Sequence, residues 1–116
     1  MQIKFDQVEG FNKVALAGRM DTAGVGAVEL RFSSGIVPGG RSTMVDMSEV
    51  EFLASLGVRM LISTARALSS KGGALVMYGA TPAVSDTIET MGFAQIVPLA
   101  DTEADAIALL RDAAAR

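Results

Sequence analysis

Residues 50–61, which read VEFLASLGVRML, join a strand-like pattern to a helical one and so decide the fold. Upstream, the short apolar segment STMVDM at residues 42–47 predicts a strand that is covered on both faces. Downstream, apolar residues at helical spacing predict a helix over about residues 56–70, namely Val58, Leu61, Ile62, Ala65 and Leu68. A buried strand that leads directly into an amphipathic helix is typical of an α/β fold.

The segments before this junction predict two strands and a helix. Residues 2–8 and 12–18 alternate apolar and polar side chains, and the short link between them predicts an antiparallel pair. Residues 23–32 predict a helix, although two internal glycines lower its propensity. The glycines and proline of residues 33–40 predict a loop.

The segments after the junction predict two further strands and two further helices. Residues 74–79 are apolar and predict another buried strand. The helix that follows has an N-cap, a first-turn proline and a terminating glycine at Thr81, Pro82 and Gly92. Residues 94–99 contain a proline and predict an edge strand, and the last helix begins near residues 101–102.

The order of these elements predicts the fold class. Strands alternate with helices after the opening hairpin, which favours parallel strands joined by right-handed crossovers. We therefore expect an α/β fold, with a mixed β-sheet of about five strands, an opening hairpin, later strands largely parallel, and about four helices. With 116 residues and half of them hydrophobic, we expect a single domain over residues 1–116.

Composition excludes several functions. The chain has neither cysteine nor histidine, which excludes disulfides, thiolate sites, Ser-His-Asp triads and histidine-bound zinc. A formal charge of −3, few aromatic residues and no basic run argue against nucleic acid as a partner. No apolar run is long enough for a membrane span, so we expect a cytoplasmic protein without membrane insertion. Without a nucleophile-base pair, we expect no enzyme activity, no cofactor and no metal.

A loop at residues 35–42, GIVPGGRS, nearly matches the phosphate-binding pattern G-x-x-x-x-G-K-[ST], with Arg41 in place of the lysine. In a P-loop the glycines follow a strand and open a helix. Here they follow a predicted helix and precede a predicted strand. The sequence therefore predicts a connection between two elements, not a nucleotide site.

Ser55 allows two interpretations. Its hydroxyl fits the N-cap of the helix that follows, where it would accept a backbone N–H bond worth about 1 kcal/mol. Capping does not explain the apolar residues around it, which we expect in a partly exposed strand-to-helix loop: Phe52, Leu53, Ala54 and Leu56. Such a patch is typical of a binding surface, with Ser55 as its chemical handle.

Asp21 and Asp46 are expected near the carboxyl ends of strands, where α/β folds often bind ligands. Two carboxylates there could bind Mg²⁺. The sequence does not fix their separation, and an aspartate before a turn more often accepts hydrogen bonds from its own backbone. We therefore favour the turn interpretation for both.

The chain also resembles a known family over almost its whole length. Residues 46–57 (DMSEVEFLASLG), 72–73 (GG), 82–84 (PAV) and 92–93 (GF) follow a strand exit that reads GRMD at residues 18–21. In this order and spacing the chain is similar to the STAS domain of bacterial anti-sigma-factor antagonists.

The resemblance implies a regulatory function. In that family, a serine before the second helix is phosphorylated by a partner that is both kinase and anti-sigma factor, and Ser55 occupies the matching position. The family's loop commonly reads Asp-Ser-Ser-Gly, whereas residues 54–57 read ASLG, without the acidic neighbour and the second hydroxyl. Together the apolar patch and the resemblance predict a partner-binding surface of Asp21, Phe52, Leu53, Ala54, Leu56, Gly57 and Arg59.

Two functions stay open at this point. The first is an anti-sigma-factor antagonist that binds an ATP-binding serine kinase and is switched by phosphorylation of Ser55. The second is a STAS-like subunit or scaffold of a transport or signalling complex, in which Ser55 is only a helix cap. The first is our leading interpretation, although the missing acidic neighbour favours the second.

Overall fold

A computed structural model describes residues 1–115, which form one five-stranded sheet and four helices. The strands are β1 (Gln2–Val8), β2 (Phe11–Met20), β3 (Thr43–Leu53), β4 (Leu75–Tyr78) and β5 (Leu99–Ala100). The helices are α1 (Thr22–Ile36), α2 (Ser55–Ser69), α3 (Pro82–Met91) and α4 (Glu103–Ala114). The strands lie in the order β1-β2-β3-β4-β5, with the first pair antiparallel and the others parallel. The predicted α/β fold and mixed sheet are confirmed.

Helices cover the sheet on both faces. The larger apolar cluster joins β2 and β3 to α1, α2 and α3, with Phe32, Leu61 and Ile88 among its buried members. The smaller cluster lies under α4, where Ile107 and Leu110 contact side chains of β3 and β4 such as Met44 and Val76. Both faces of β4 are therefore buried, which explains why its sequence is continuously apolar.

Helix α1 is longer than predicted. The expected loop over residues 33–40 is wrong for residues 33–36, which continue the helix. Val25, Val28, Phe32 and Ile36 keep helical spacing and are all buried, so the apolar face extends past the serines that suggested a loop. A glycine at position 35 suits this helix because the Phe5 ring packs against it. A Cβ atom there would lie 2.6 Å from the ring.

Strand β3 is also longer than predicted, because it was expected to end at Met47. Two register shifts along β2 each place an extra residue in β3. Its buried residues Met47, Val50 and Leu53 are therefore three apart, a spacing that suggests neither a regular strand nor a helix. Asp46 consequently lies within β3 and not at its end.

Strand β5 lies at the sheet edge, as predicted, but is shorter than expected. Residues 94–98 do not belong to it, because Ile96 and Val97 donate backbone hydrogen bonds to the Phe93 carbonyl and form a turn. Pro98 has no N–H, but its carbonyl accepts a bond from Met77 at 2.8 Å. Among the described residues, no helix has the length and apolar character that crossing a membrane requires.

A polar cluster attaches α4 to the sheet. Glu103, at the start of α4, accepts a hydrogen bond from the Tyr78 hydroxyl at 3.0 Å. It also forms an ion pair with Lys13, whose Nζ lies 2.6 Å from Oε1. The hydrogen bond from Lys13 lowers the pKa of Glu103, and the same contact raises the pKa of Lys13. Burial, together with the charge of Asp46, raises the pKa of the Tyr78 hydroxyl. We expect the cluster to orient α4 more than to stabilise it, because the ion pair is partly exposed.

This cluster predicts a dependence of stability on acid. Since the folded-state pKa of Glu103 is lowered, its contribution is present above the unfolded value of about 4.3 and is lost as pH falls through the folded value. We expect Glu103→Gln to cost less than about 1 kcal/mol at pH 7 and almost nothing near pH 3. Urea unfolding across this range measures the difference. Glu89→Gln, on the exposed face of α3, is the control and should show no such convergence.

Candidate functional site

The ends of β2 and β3 lie side by side, and this places the predicted site residues together. The parallel ladder continues to the pairs Arg19–Phe52 and Met20–Leu53. One further bond, from the Ala54 N–H to the Met20 carbonyl at 3.0 Å, holds the chain just beyond β3. Asp21 and Ala54 therefore begin adjacent connections at the carboxyl edge of the sheet, where α/β folds commonly bind ligands.

Asp21 caps α1. Its Oδ1 accepts a hydrogen bond from the Gly24 N–H at 2.8 Å, and its Oδ2 lies 3.5 Å from Arg19 Nε. The bond from Gly24, with help from Arg19, lowers the pKa of the Asp21 carboxyl. The turn interpretation of Asp21 is confirmed, and its carboxylate is ionised at neutral pH.

Arg19 belongs to the site and was missed by sequence reasoning. Its guanidinium carbon lies 4.4 Å from the centre of the Phe52 ring, which is a cation-π distance. The same guanidinium faces Asp21, so a single side chain links the two strand exits. The only signal for this contact is the cross-strand pairing of Arg19 with Phe52, which cannot be deduced before the register of β2 on β3 is known.

The connection between β3 and α2 is a single residue, Ala54. The expected strand-to-helix loop is therefore wrong: Phe52 and Leu53 belong to β3, and Leu56 belongs to α2. Leu53 and Gly57 are buried, so they shape the surface from beneath. A Cβ atom on Gly57 would lie 2.8 Å from Leu53 Cδ1 and 3.0 Å from Met20 Cβ, which shows how tightly α2 is seated on the strand ends.

Ser55 is not a helix cap. The N-cap of α2 is Ala54, which has extended backbone angles and offers no side-chain hydrogen bond. Ser55 is the first helical residue and is exposed, and its hydroxyl makes no hydrogen bond within residues 1–115. The capping interpretation of Ser55 is therefore wrong, because the helix begins one residue earlier than that interpretation requires.

Four exposed residues define what we call the α2-start surface: Phe52, Ser55, Leu56 and Arg59. The exposed fractions of Phe52 and Leu56 are 41% and 37%, which is high for large apolar side chains beside a helix terminus. Arg59 lies four residues after Ser55 and therefore on the same helix face. The first turn of α2 contains no acidic residue. The surface combines an apolar area, a free hydroxyl and a cation.

Neither aspartate is arranged for a metal. Asp46 Oδ1 accepts bonds from the backbone N–H of Ser48 at 3.0 Å and from its hydroxyl at 2.7 Å. Within residues 1–115, no group of three or more acidic side chains is placed to hold a cation. Asp46 thus bonds to the chain two residues further on, as expected, but it does so inside β3 and not before a turn.

The loop that resembles a P-loop lies at the other end of the sheet, between α1 and β3. Its Arg41 donates a hydrogen bond to the Gly10 carbonyl at 3.3 Å, across to the β1–β2 turn. The glycines follow a helix, as predicted, so their N–H groups do not converge with a helix N-terminus. This loop connects two elements.

Comparison with known proteins identifies the family of this fold. A family model described as "Mlab, STAS domain" matches residues 3–98, and the chain belongs to this STAS domain family. Over 116 residues, which is the whole of both chains, it is 26% identical to BtrV of Bordetella bronchiseptica, a candidate anti-sigma factor antagonist. The resemblance stated from the sequence is thus confirmed at the level of the family.

Two solved structures share the fold. An anti-sigma factor antagonist from Mycobacterium paratuberculosis has a TM-score of 0.85 and 27% identity, covering 96% of this chain and 94% of that chain. The phosphorylated form of SpoIIAA, a Bacillus cell fate determinant, has a TM-score of 0.68 and 20% identity, covering 95% of this chain and all of that chain. The second likeness shows the fold alone.

Asp21, which caps α1, and Ser55, which was expected to cap α2, can be compared directly. We expect Asp21→Ala to lower the free energy of unfolding by about 1 kcal/mol, because it removes the bond to Gly24. Ser55→Ala should change it by less than about 0.5 kcal/mol, because its hydroxyl supports nothing in the fold. Chemical unfolding of both variants measures this. Equal losses would contradict the assignment of Ala54 as the N-cap.

Proposed function

We propose that this protein is an anti-sigma-factor antagonist that acts in the cytoplasm and binds an ATP-binding serine kinase, which is also the anti-sigma factor. The partner contacts the α2-start surface and is released when Ser55 is phosphorylated. The observation that carries the proposal is the exposed, unbonded hydroxyl of Ser55 beside two exposed apolar side chains. The protein is a substrate of the kinase and no enzyme itself, with no cofactor and no nucleic-acid partner.

The fold is suited to carry a phosphate at this position. The modification adds about 1.5 to 2 negative charges, and the first turn of a helix is where a protein tolerates them best. Ala54 leaves the first N–H groups of α2 without a side-chain acceptor, so phosphate oxygens can accept from them. The carboxylate of Asp21, across the site, is already engaged by Gly24 and Arg19.

The same phosphate would destabilise the complex with the partner. Phe52 and Leu56 are the apolar anchors of the α2-start surface, and we expect them to fit an apolar part of the partner. A phosphate pressed against such a part is desolvated without a counterion, which costs about 2 to 5 kcal/mol and dissociates the complex. Control acts on the interface and not on the fold.

The other predicted partner-binding residues have distinct roles in this proposal. Arg59 extends the surface along α2 and suits an acidic group on the partner. Asp21 and Arg19 border the surface and hold Phe52 in place. Leu53, Ala54 and Gly57 act from beneath, because they fix the direction in which α2 leaves the sheet.

A second candidate function rests on the sequence of the connection. Ala54 and Leu56 stand where the family commonly has an acid and a second hydroxyl, so this surface is more apolar than is usual. A permanent docking surface in a transport or signalling complex would have this character and would not need Ser55 to be phosphorylated. The two candidates differ in which residue controls binding.

The test is binding of the partner, captured with the tagged protein from lysate of its native host and identified by mass spectrometry. If binding is controlled by phosphate, Ser55→Asp loses the partner by at least about 30-fold, and Ser55→Ala keeps it. If the dock is permanent, both Ser55 variants bind equally, and only Leu56→Asp fails. Leu109→Asp is the matched control, since Leu109 on α4 has a similar exposed fraction of 39%.

Two further readouts separate folding from binding. We expect Ser55→Asp to melt at or slightly above the temperature of the unmodified protein, because an acid in the first turn favours the helix. The captured partner must contain a serine kinase, and incubation with it and ATP must place phosphate on Ser55. A partner without kinase activity, together with Ser55 that stays unmodified, would contradict the switch and leave the permanent dock.

A further inference from the structure

The edge of the sheet formed by β1 is open. Strand β1 pairs with β2, and among residues 1–115 no strand lies on its other side. Its link to β2 is a two-residue turn in which Glu9 and Gly10 both have positive φ, typical of a type I′ hairpin. The pair that flanks such a turn, Val8 and Phe11, exchanges backbone hydrogen bonds.

This geometry fixes which backbone groups of β1 face outward. Because Val8 bonds to β2, so do the even residues before it, and the N–H and C=O groups of Ile3, Phe5 and Gln7 point away from the sheet. The Gln7 N–H bonds to the Asp6 carboxylate beside it at 2.8 Å, which agrees with its position outside the ladder. Three residues therefore place backbone donors and acceptors outside the ladder along one line, and within the described chain only the Gln7 N–H has a partner there, the neighbouring Asp6 carboxylate.

The sequence of β1, QIKFDQV, is complementary to itself about Phe5. If a second copy of the strand runs antiparallel with Phe5 opposite Phe5, Lys4 of each copy lies opposite Asp6 of the other. We propose that β1 of one copy pairs with β1 of a second copy in this register, joining two sheets into one of ten strands. The ladder would contain six backbone hydrogen bonds, from Phe5 to Phe5 and from Ile3 to Gln7 on both sides.

The two charges select this register against its neighbours. A shift by two residues in one direction places Lys4 opposite Lys4, and the opposite shift places Asp6 opposite Asp6. Directly opposed like charges destabilise antiparallel strands, whereas opposed Lys and Asp stabilise them. In the proposed register the charges occupy pairs without backbone hydrogen bonds, where opposite side chains come closest. On pairing, the Asp6 carboxylate releases the Gln7 N–H and pairs with Lys4 of the second copy. The Gln7 N–H then bonds to Ile3 of the second copy.

The surroundings of β1 leave room for a second strand. Its residues are exposed or half-buried, it contains neither proline nor a register shift, and Phe5 has an exposed fraction of 44%. A shallow groove lined by Phe5, Gln7 and Gly35 borders the strand on the α1 face, beside the position of the second Phe5 ring. The opposite edge is unsuited to such pairing, because β5 has two residues and follows Pro98.

Sedimentation velocity of the full chain over about 5 to 500 µM tests the proposal, since a small interface of this kind dissociates in the micromolar range. We expect a concentration-dependent monomer-dimer equilibrium. Lys4→Glu and Asp6→Lys should each weaken it at least about tenfold, because each variant opposes like charges in both pairs. An equimolar mixture of the two variants should form a heterodimer, because both pairs then oppose unlike charges.

Two matched controls exclude a general effect of charge. Lys71→Glu and Asp86→Lys make the same changes of net charge at exposed positions away from β1 and should dimerise like the unmodified chain. Asp6 lies opposite Lys13 in the hairpin, so thermal melting must show that Asp6→Lys is folded, whereas Lys4 lies opposite Ala15. A monomer throughout the concentration range overturns the proposal. A dimer that survives Lys4→Glu, or variants that fail to associate in the mixture, overturns it as well.

Discussion

The parallel pairing of β2 with β3 is the interaction on which the rest of the structure depends. It continues to the last residues of both strands, so Asp21 and Ala54 leave the sheet side by side. Two helices then start from neighbouring points, and each start is held by a contact with the strand ends: Gly24 with Asp21, and Gly57 with Met20 and Leu53. The α2-start surface exists because this pairing does not stop earlier.

Sequence patterns correctly predicted the helices and strands whose start and end are determined by residues within the same segment. The helix from Thr81 to Gly92 has a cap and a left-handed terminating glycine within its own residues, and the structure confirms both. The mixed sheet followed from the alternation of elements. Where the determinant lies on another element, prediction failed: β3 passes Met47 because β2 continues beside it, and the register shifts hide its period. No window of β3 alone contains that information.

The candidate site shows the same division. The sequence indicated Ser55 and the apolar residues near it, because a hydroxyl among apolar neighbours is a pattern of adjacent residues. It could not assign the N-cap to Ala54, since that depends on the φ and ψ angles at a junction one residue long. It could not find Arg19 either, whose contact with Phe52 crosses two strands. Leu53 and Phe52, adjacent in sequence, prove to be core and surface because strands alternate faces.

The one-residue connection at Ala54 has a consequence for how fast a modification of Ser55 would take effect. The connection is one residue long, and the start of α2 packs closely on Met20 and Leu53 at Gly57, so the structure gives this segment little room to rearrange. A group added to Ser55 would therefore be read at once by whatever touches it, with no slow relaxation of the domain between modification and response. The rate of the response would then be set by the modifying enzyme and by the lifetime of the complex. The domain itself would act as a rigid carrier of one chemical mark.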